Sequence, residues 1–296
     1  MNDAAIESAL RLFLSARKKF DEGDFASATL YSKQFEDLNY AFANIEFGEN
    51  FSWARHTVCI VSYKSLAETE ALLKGIAPLT DDSEFCLLLV ENAANDLFPY
   101  ADEVTRGAFA KIRSGANFGA SVGRNLAIHF SESETITFLD DDGITGPASI
   151  TKLVNSLIRH DAVAVRGRVL PLQNLDALPK HYDLGNNIKQ RFMDIEGITV
   201  WKTDALKRHR FDPLLYGHEG LELTARLYRE YGPDAFLYEP DAILRHDFVK
   251  PEAVINDKLE RMNRNSAYIE YINKDISSVK SVFYGLDTST QSARSL

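Results

Sequence analysis

Three consecutive carboxylates, Asp140-Asp141-Asp142, follow the apolar, β-branched run Thr135-Ile136-Thr137-Phe138-Leu139 and are closed by Gly143. At the mouth of a buried strand such groups repel one another unless a cation neutralises them. Two other apolar runs also end in polar residues: His56-Thr57-Val58-Cys59-Ile60-Val61 in Ser62-Tyr63, and Phe85-Cys86-Leu87-Leu88-Leu89-Val90 in Glu91-Asn92. Between them and the acidic trio lies Ser114-Gly115-Ala116-Asn117-Phe118-Gly119-Ala120-Ser121-Val122-Gly123-Arg124-Asn125. Its glycines free the backbone to approach a ligand, and a helix from about residue 121 points its N-terminus there. Arg124 is placed to pair with a diphosphate. Further on, Glu219 and Glu222 fall in the first turn of a predicted helix, where the helix dipole favours acidic groups, and Arg245-His246-Asp247 follows the last apolar run.

The elements that must position these groups alternate. Strand-like runs at 56–63, 85–90, 135–139, 162–169, 197–201 and 242–244 are separated by helical patterns at 66–76 and 147–159 and from about 221. Apolar strands between helices indicate a parallel sheet covered on both faces, which binds ligands beyond the carboxyl ends of its strands. Before this unit, residues 1–48 read as a helical hairpin. Ile6, Leu10, Phe13 and Phe20 recur at helical spacing, Glu22-Gly23-Asp24 breaks the pattern, and Phe25, Ala28, Tyr31, Phe35 and Leu38 resume it. The second stretch resembles one tetratricopeptide unit, but a single unit cannot bury its own face, so packing on the main domain is expected. Residues 46–55 read as a linker. Residues 172–195 show little periodicity and read as a substrate-side loop region. Pro251 begins a helix expected to reach about residue 273, and a polar tail follows from about 276, with an isolated Val282-Phe283-Tyr284 patch.

Composition narrows the classes. With 296 residues, 45% hydrophobic and 26% charged, the chain suits one large globular domain with an extension. A net charge of −10 argues against nucleic acid as a bulk partner, which calls for a basic surface. Cys59 and Cys86 both fall in apolar runs and read as core filler, not as a disulfide or metal ligands. No secretory signal opens the chain, and no run approaches ~18 apolar residues. A cytoplasmic protein is expected, with room for peripheral contact at the inner membrane face, or with a partner protein, through the helical extension or the C-terminal tail.

Taken in order, Val58-Cys59-Ile60-Val61-Ser62-Tyr63, Val90-Glu91-Asn92-Ala93-Ala94-Asn95-Asp96, Asn117-Phe118-Gly119 with Gly123-Arg124-Asn125, Phe138-Leu139-Asp140-Asp141-Asp142 and Gly217-His218-Glu219-Gly220-Leu221-Glu222 resemble the nucleotide-sugar-dependent glycosyltransferases of the GT-A fold, family 2-like. The resemblance spans roughly residues 56–248. It implies an α/β fold with a Rossmann-like, mostly parallel central sheet and helices on both faces, preceded by the helical hairpin and followed by a C-terminal segment, 249–296. It also implies a Mn²⁺- or Mg²⁺-dependent transfer from a UDP-, GDP- or dTDP-linked sugar to a glycan, lipid-linked or surface-polysaccharide acceptor. By the same carry-over Asp140 and Asp142 form the metal motif, Asp142 touching the ion and Asp140 near the ribose or the metal's water shell, with His246 completing the coordination. Ser62, Tyr63, Glu91 and Asn117 line the base and ribose pocket. Asn92, Gly119, Arg124 and Asp141 complete the nucleotide-sugar-binding set.

One departure concerns the base. Relatives often carry Glu-Asp where this chain has Glu219-Gly220, the aspartate taking the acceptor proton. Three readings follow: Glu219 as base or acceptor-positioning group, Glu222 as base, or a retaining enzyme with no base there. Glu219 is preferred. Against a sugar nucleotidyltransferase stands the lack of a Gly-rich, lysine-containing loop near the N-terminus. Against an inactive binding module stands the intact acidic trio, which costs stability if unused.

Overall fold

Alternating burial of short apolar runs builds one sheet with a core on each face. The computed structural model describes residues 2–63, 65–93, 98, 108–172, 184–193, 197–246 and 252–285. In chain order the strands are β1 (Asn44–Phe47), β2 (His56–Ser62), β3 (Phe85–Glu91), β4 (Phe109–Arg113), β5 (Thr135–Leu139), β6 (Gly143–Ile144), β7 (Ala164–Pro171), β8 (Lys189–Gln190), β9 (Ile198–Lys202) and β10 (Phe236–His246). The helices are α1 (Asp3–Asp21), α2 (Phe25–Glu36), α3 (Leu66–Ile76), α4 (Gly119–Phe130), α5 (Pro147–Arg159), α6 (Thr203–Arg208), α7 (Glu219–Tyr231), α8 (Glu252–Ile272) and α9 (Ile276–Gly285).

The strand order is β1-β4-β3-β2-β5-β9-β7-β10-β6, with β8 also on β10. Strands β2, β3, β4 and β5 run parallel, as do β7 and β10, whereas β9 is antiparallel to β5 and β7. Successive strand residues face opposite sides. Leu87 and Leu89 therefore join Leu72, Ile76 and Leu153 beneath α3 and α5, while Leu88 and Val90 join the core of α4, α7 and the terminal helices. This is the α/β fold with a mostly parallel sheet expected above.

The N-terminal helices pack on that second core. Asn2 caps α1 and Asp24 caps α2, each side chain accepting a backbone N–H. Phe13, Phe35 and Phe42 surround the ring of Phe118, with centroids 5.5, 5.5 and 4.6 Å away. Each phenyl ring so buried contributes roughly 2–3 kcal/mol. Phe118 lies between Asn117 and Gly119, so the hairpin buttresses a loop that the sequence marks for ligand contact. Both cysteines are buried and free.

Several local expectations differ from the structure. Residues 44–47 form the edge strand β1, paired antiparallel with β4, where helix and linker were expected. β4 itself, Phe-Ala-Lys-Ile-Arg, carries two charged residues among five, as its place next to the edge permits, and these hid its strand character. Pro240 does not end the last strand: β10 passes it through a register shift between Glu239 and Ile243, the irregularity at which a sheet tolerates proline. The expected polar tail begins as a helix, because Ile276, Val279 and Phe283 share one face and are buried. Most of the 172–195 loop (173–183 and 194–196), along with Ala94-Asn95-Asp96, Asp247, Pro251 and the tail from 286, lies outside the described residues.

Candidate active site

Parallel pairing brings the carboxyl ends of β2, β3 and β5 to one edge, with Ser62 in register with Glu91 and Ile60 with Leu139. The Ser62 hydroxyl meets the Thr69 hydroxyl at 2.9 Å, and the Thr69 hydroxyl donates to the Asp141 carbonyl at 3.5 Å. Burial, then the neighbouring Asp142, push the Asp141 carboxyl up to about 6, against hydrogen bonds from Ser62 and the Tyr63 N–H. Within the trio, the charge of Asp142 adds to burial in raising Asp141. Asp140 turns a different way: its carboxylate accepts the Gly197 N–H at 2.6 Å while its own N–H donates to the Gly197 carbonyl at 2.9 Å. Asp140 is thereby fixed to the start of β9.

Asp142 meets His246 through a two-residue strand. β6 lies antiparallel on the end of β10, Gly143 opposite His246 and Ile144 opposite Arg245, and the Thr145 hydroxyl donates to the Ile243 carbonyl at 2.7 Å. Gly143 is required for the close approach, since a Cβ there would sit 2.6 Å from Leu244 Cδ2. The result is 3.0 Å between His246 Nε2 and an Asp142 oxygen. Adjacent ligands of an octahedral ion with bonds of about 2.1 Å lie about 3.0 Å apart, so this pair fits a divalent cation. Among the described residues no group of three or more His, Cys, Asp or Glu forms a metal cluster.

The polar ends of the neighbouring segments interlock. Glu91 is fully buried and accepts the Phe98 N–H at 2.8 Å, with Arg113 Nε 3.9 Å from its other oxygen. The Asn92 side chain donates to Asn117 Oδ1 at 3.1 Å and to the Gly119 carbonyl at 3.0 Å, and accepts the Phe118 N–H at 3.0 Å. Asn117 Oδ1 also accepts the Gly119 N–H at 2.9 Å. Asn92 and Asn117 therefore shape the loop that opens α4. Tyr63 is 40% exposed at the rim.

Arg124, one turn into α4, connects this edge to α7. Its guanidinium donates to Glu219 at 2.7 Å and stands 3.8 Å from an Asp140 oxygen. Glu219 is buried at the N-terminus of α7, behind Gly217 and His218, whose φ angles of +89° and +63° make an abrupt turn. Glu222, one turn on, points elsewhere: it pairs through both oxygens with Arg226 at 2.7 Å and accepts from Asn273 at 3.2 Å. It lines a cavity of about 430 Å³ together with Glu36, Asp212, Arg226 and Tyr268. The structure gathers Ser62, Asp141 and Tyr63 in one place, joins Asp142 to His246, links Arg124 to Glu219 and Asp140, and sets Glu222 apart.

Sequence reading missed Thr69, Gly197 and Asn265. Thr69 lies one turn into α3, seven residues after Ser62 at the strand end, and could have been proposed from that spacing. The partners of Gly197 and Asn265 are 57 and 48 residues away, and no local signal names them.

The Glycosyl transferase family 2 model matches residues 57–209, just over half the chain. No curated protein matches the sequence. Among solved structures, S. aureus TarS 1–349 is similar with a TM-score of 0.50 and 16% identity over 63% of this chain and 60% of that one. S. aureus TarS matches with 0.52 and 17% over 68% and 38%. This chain therefore spans less than two thirds of either TarS chain. Mycobacterium tuberculosis glucosyl-3-phosphoglycerate synthase, in complex with Mn²⁺, uridine diphosphate and glucosyl-3-phosphoglycerate, matches with 0.55 and 15% over 74% and 79%. At these identities the likeness is one of fold, and it is the GT-A fold. By the family match over more than half of its length, the chain belongs to glycosyl transferase family 2.

Proposed function

We propose that this protein transfers a sugar from a nucleotide-sugar donor to a hydroxyl of a glycan, lipid-linked or surface-polysaccharide acceptor, with inversion and with Glu219 as base. The observation that carries this reading is the Arg124 bridge, 2.7 Å to Glu219 and 3.8 Å to Asp140. It holds a buried carboxylate beside the acidic strand end, where a sugar on a diphosphate would be presented. The acceptor oxygen bonds to the anomeric carbon, the bond from that carbon to the diphosphate breaks, and the acceptor proton passes to Glu219. The nucleoside diphosphate leaves with the bonding pair. Asp142 and His246 would hold the divalent cation, Mn²⁺ or Mg²⁺, which would supply Lewis-acid neutralisation of the diphosphate. Ser62, Tyr63, Glu91, Asn92, Asn117 and Gly119 shape the base and ribose pocket, and Asp140 orients Arg124. The Mn²⁺ and uridine diphosphate held by the M. tuberculosis synthase support testing uridine first.

The test is a thermal-shift panel of UDP-, GDP- and dTDP-sugars with and without Mn²⁺. One nucleotide should raise the melting temperature in a Mn²⁺-dependent way, and Asp142→Ala should abolish that dependence and the turnover while leaving the fold intact. No shift with any nucleotide, or unchanged turnover in Asp142→Ala, refutes the reading.

A further inference from the structure

Beyond the residues matched to the family, α8 lays one face on the turn that presents Glu219. Arg261, Met262, Asn265 and Ser266, two pairs a helical turn apart, each touch it. The Arg261 guanidinium stacks on the Tyr216 ring at 4.2 Å. A Cβ at Gly217 would sit 2.6 Å from Met262 Sδ. The Ser266 hydroxyl lies 3.4 Å from His218 Nδ1. Asn265 is fully buried, and its amide nitrogen donates to two consecutive carbonyls, Tyr216 at 2.8 Å and Gly217 at 2.7 Å. Both acceptors are carbonyls, so only the nitrogen of the side chain can face them.

The backbone explains why a clamp is needed. A non-glycine residue in the left-handed region is strained, and His218 stands there directly before the helix. The His218 side chain makes no capping hydrogen bond to α7. Carbonyls 216 and 217 precede that residue, and their direction sets where Glu219 enters the helix.

We infer that Asn265 is a positioning residue: its carboxamide locks the 216–218 turn and thereby holds Glu219 where it can take the acceptor proton. This rests on the reading of Glu219 as base. On that reading the donor lies on the Asp140 side of Arg124, and the hydrogen bonds of Asn265 are to the 216–217 turn.

The experiment is a double-mutant cycle on the full chain, reading nucleoside diphosphate release from whichever of the UDP-, GDP- or dTDP-sugars shifts the melting temperature. Asn265→Ala should lower kcat about 100-fold, the scale of a misplacement near 1 Å, with the donor KM within about twofold. Asn265→Ser, which keeps one donor, should fall between, and it carries the measurement if the alanine variant does not fold. Asn265→Asp, whose ionised carboxylate cannot donate, should be at least as impaired as alanine. In a Glu219→Gln background the loss from Asn265→Ala should vanish, because the group it positions no longer takes a proton. An equal loss in both backgrounds, or an Asp variant as active as Asn, overturns the inference and leaves Glu219 standing. Wild-type turnover in Glu219→Gln alone overturns the base reading, and the inference with it.

Discussion

The two carboxylates in the first turn of α7 are three positions apart, yet their surroundings give them different work. Glu219 meets Arg124 on the strand-end side, while Glu222 is closed off by Arg226 and Asn273. Their neutral amides should therefore differ in turnover. Glu219→Gln should lower kcat per folded molecule by about 10²–10⁴, the usual contribution of a general base, and should also lower the unfolding midpoint in urea, because the buried Arg124 guanidinium loses its closest counter-charge. Glu222→Gln should leave kcat per folded molecule near wild type but destabilise the chain by roughly 3 kcal/mol, because the part-buried Arg226 guanidinium loses its counter-charge. Swapped outcomes would assign the base to Glu222.

At the scale of elements, the two residues of β6 do more than their length suggests. They zip the turn after the acidic trio onto β10, so the spacing of Asp142 from His246 is set by backbone pairing. Gly143→Ala would drive a methyl group into the buried Leu244 side chain. The expected cost is about 1–3 kcal/mol of overpacking, together with at least tenfold weaker Mn²⁺ binding by calorimetry in the presence of nucleotide. Loss of stability with unchanged Mn²⁺ affinity would show that the pairing does not place the ligands.

For the molecule as a whole, the hairpin, α7 and the C-terminal helices share one core, and a charged cavity sits among them. Asp212, on its wall, accepts the Leu214 N–H at 2.8 Å and the Tyr268 hydroxyl at 2.8 Å. Burial, then the nearby Glu222, push its carboxyl up to about 6, above an ordinary value of about 4. Between those values the folded state binds more protons than the unfolded state, so this group's contribution is full below about pH 4 and is lost as pH rises through about 6. The contribution is roughly 1–3 kcal/mol. In urea unfolding at pH 4.5 and 7.5, Asp212→Asn should show a shallower fall in stability with rising pH than the wild type. An equal or steeper fall would mean that Asp212 does not titrate in this way.

What the sequence by itself determined is whatever local periodicity encodes. The helices at 66–76 and 147–159 match the reading from residues at both ends, and the three strands ending in Ser62, Glu91 and before Asp140 were legible from apolar runs. So was the acidic trio, because three adjacent carboxylates are an electrostatic problem wherever they fold. The edge strand β1 and its neighbour β4 were not legible, since partial exposure dilutes the apolar signal that identifies a strand. The pairings that decide the site were not legible either. Arg124 finds Glu219 across 95 residues, and Asn265 finds Gly217 across 48. A local pattern states which face of a segment is apolar and where a helix begins, but not which distant group a polar side chain will meet. That choice falls to the packing of α4, α7 and α8 around one core, and it separates Glu219 from Glu222.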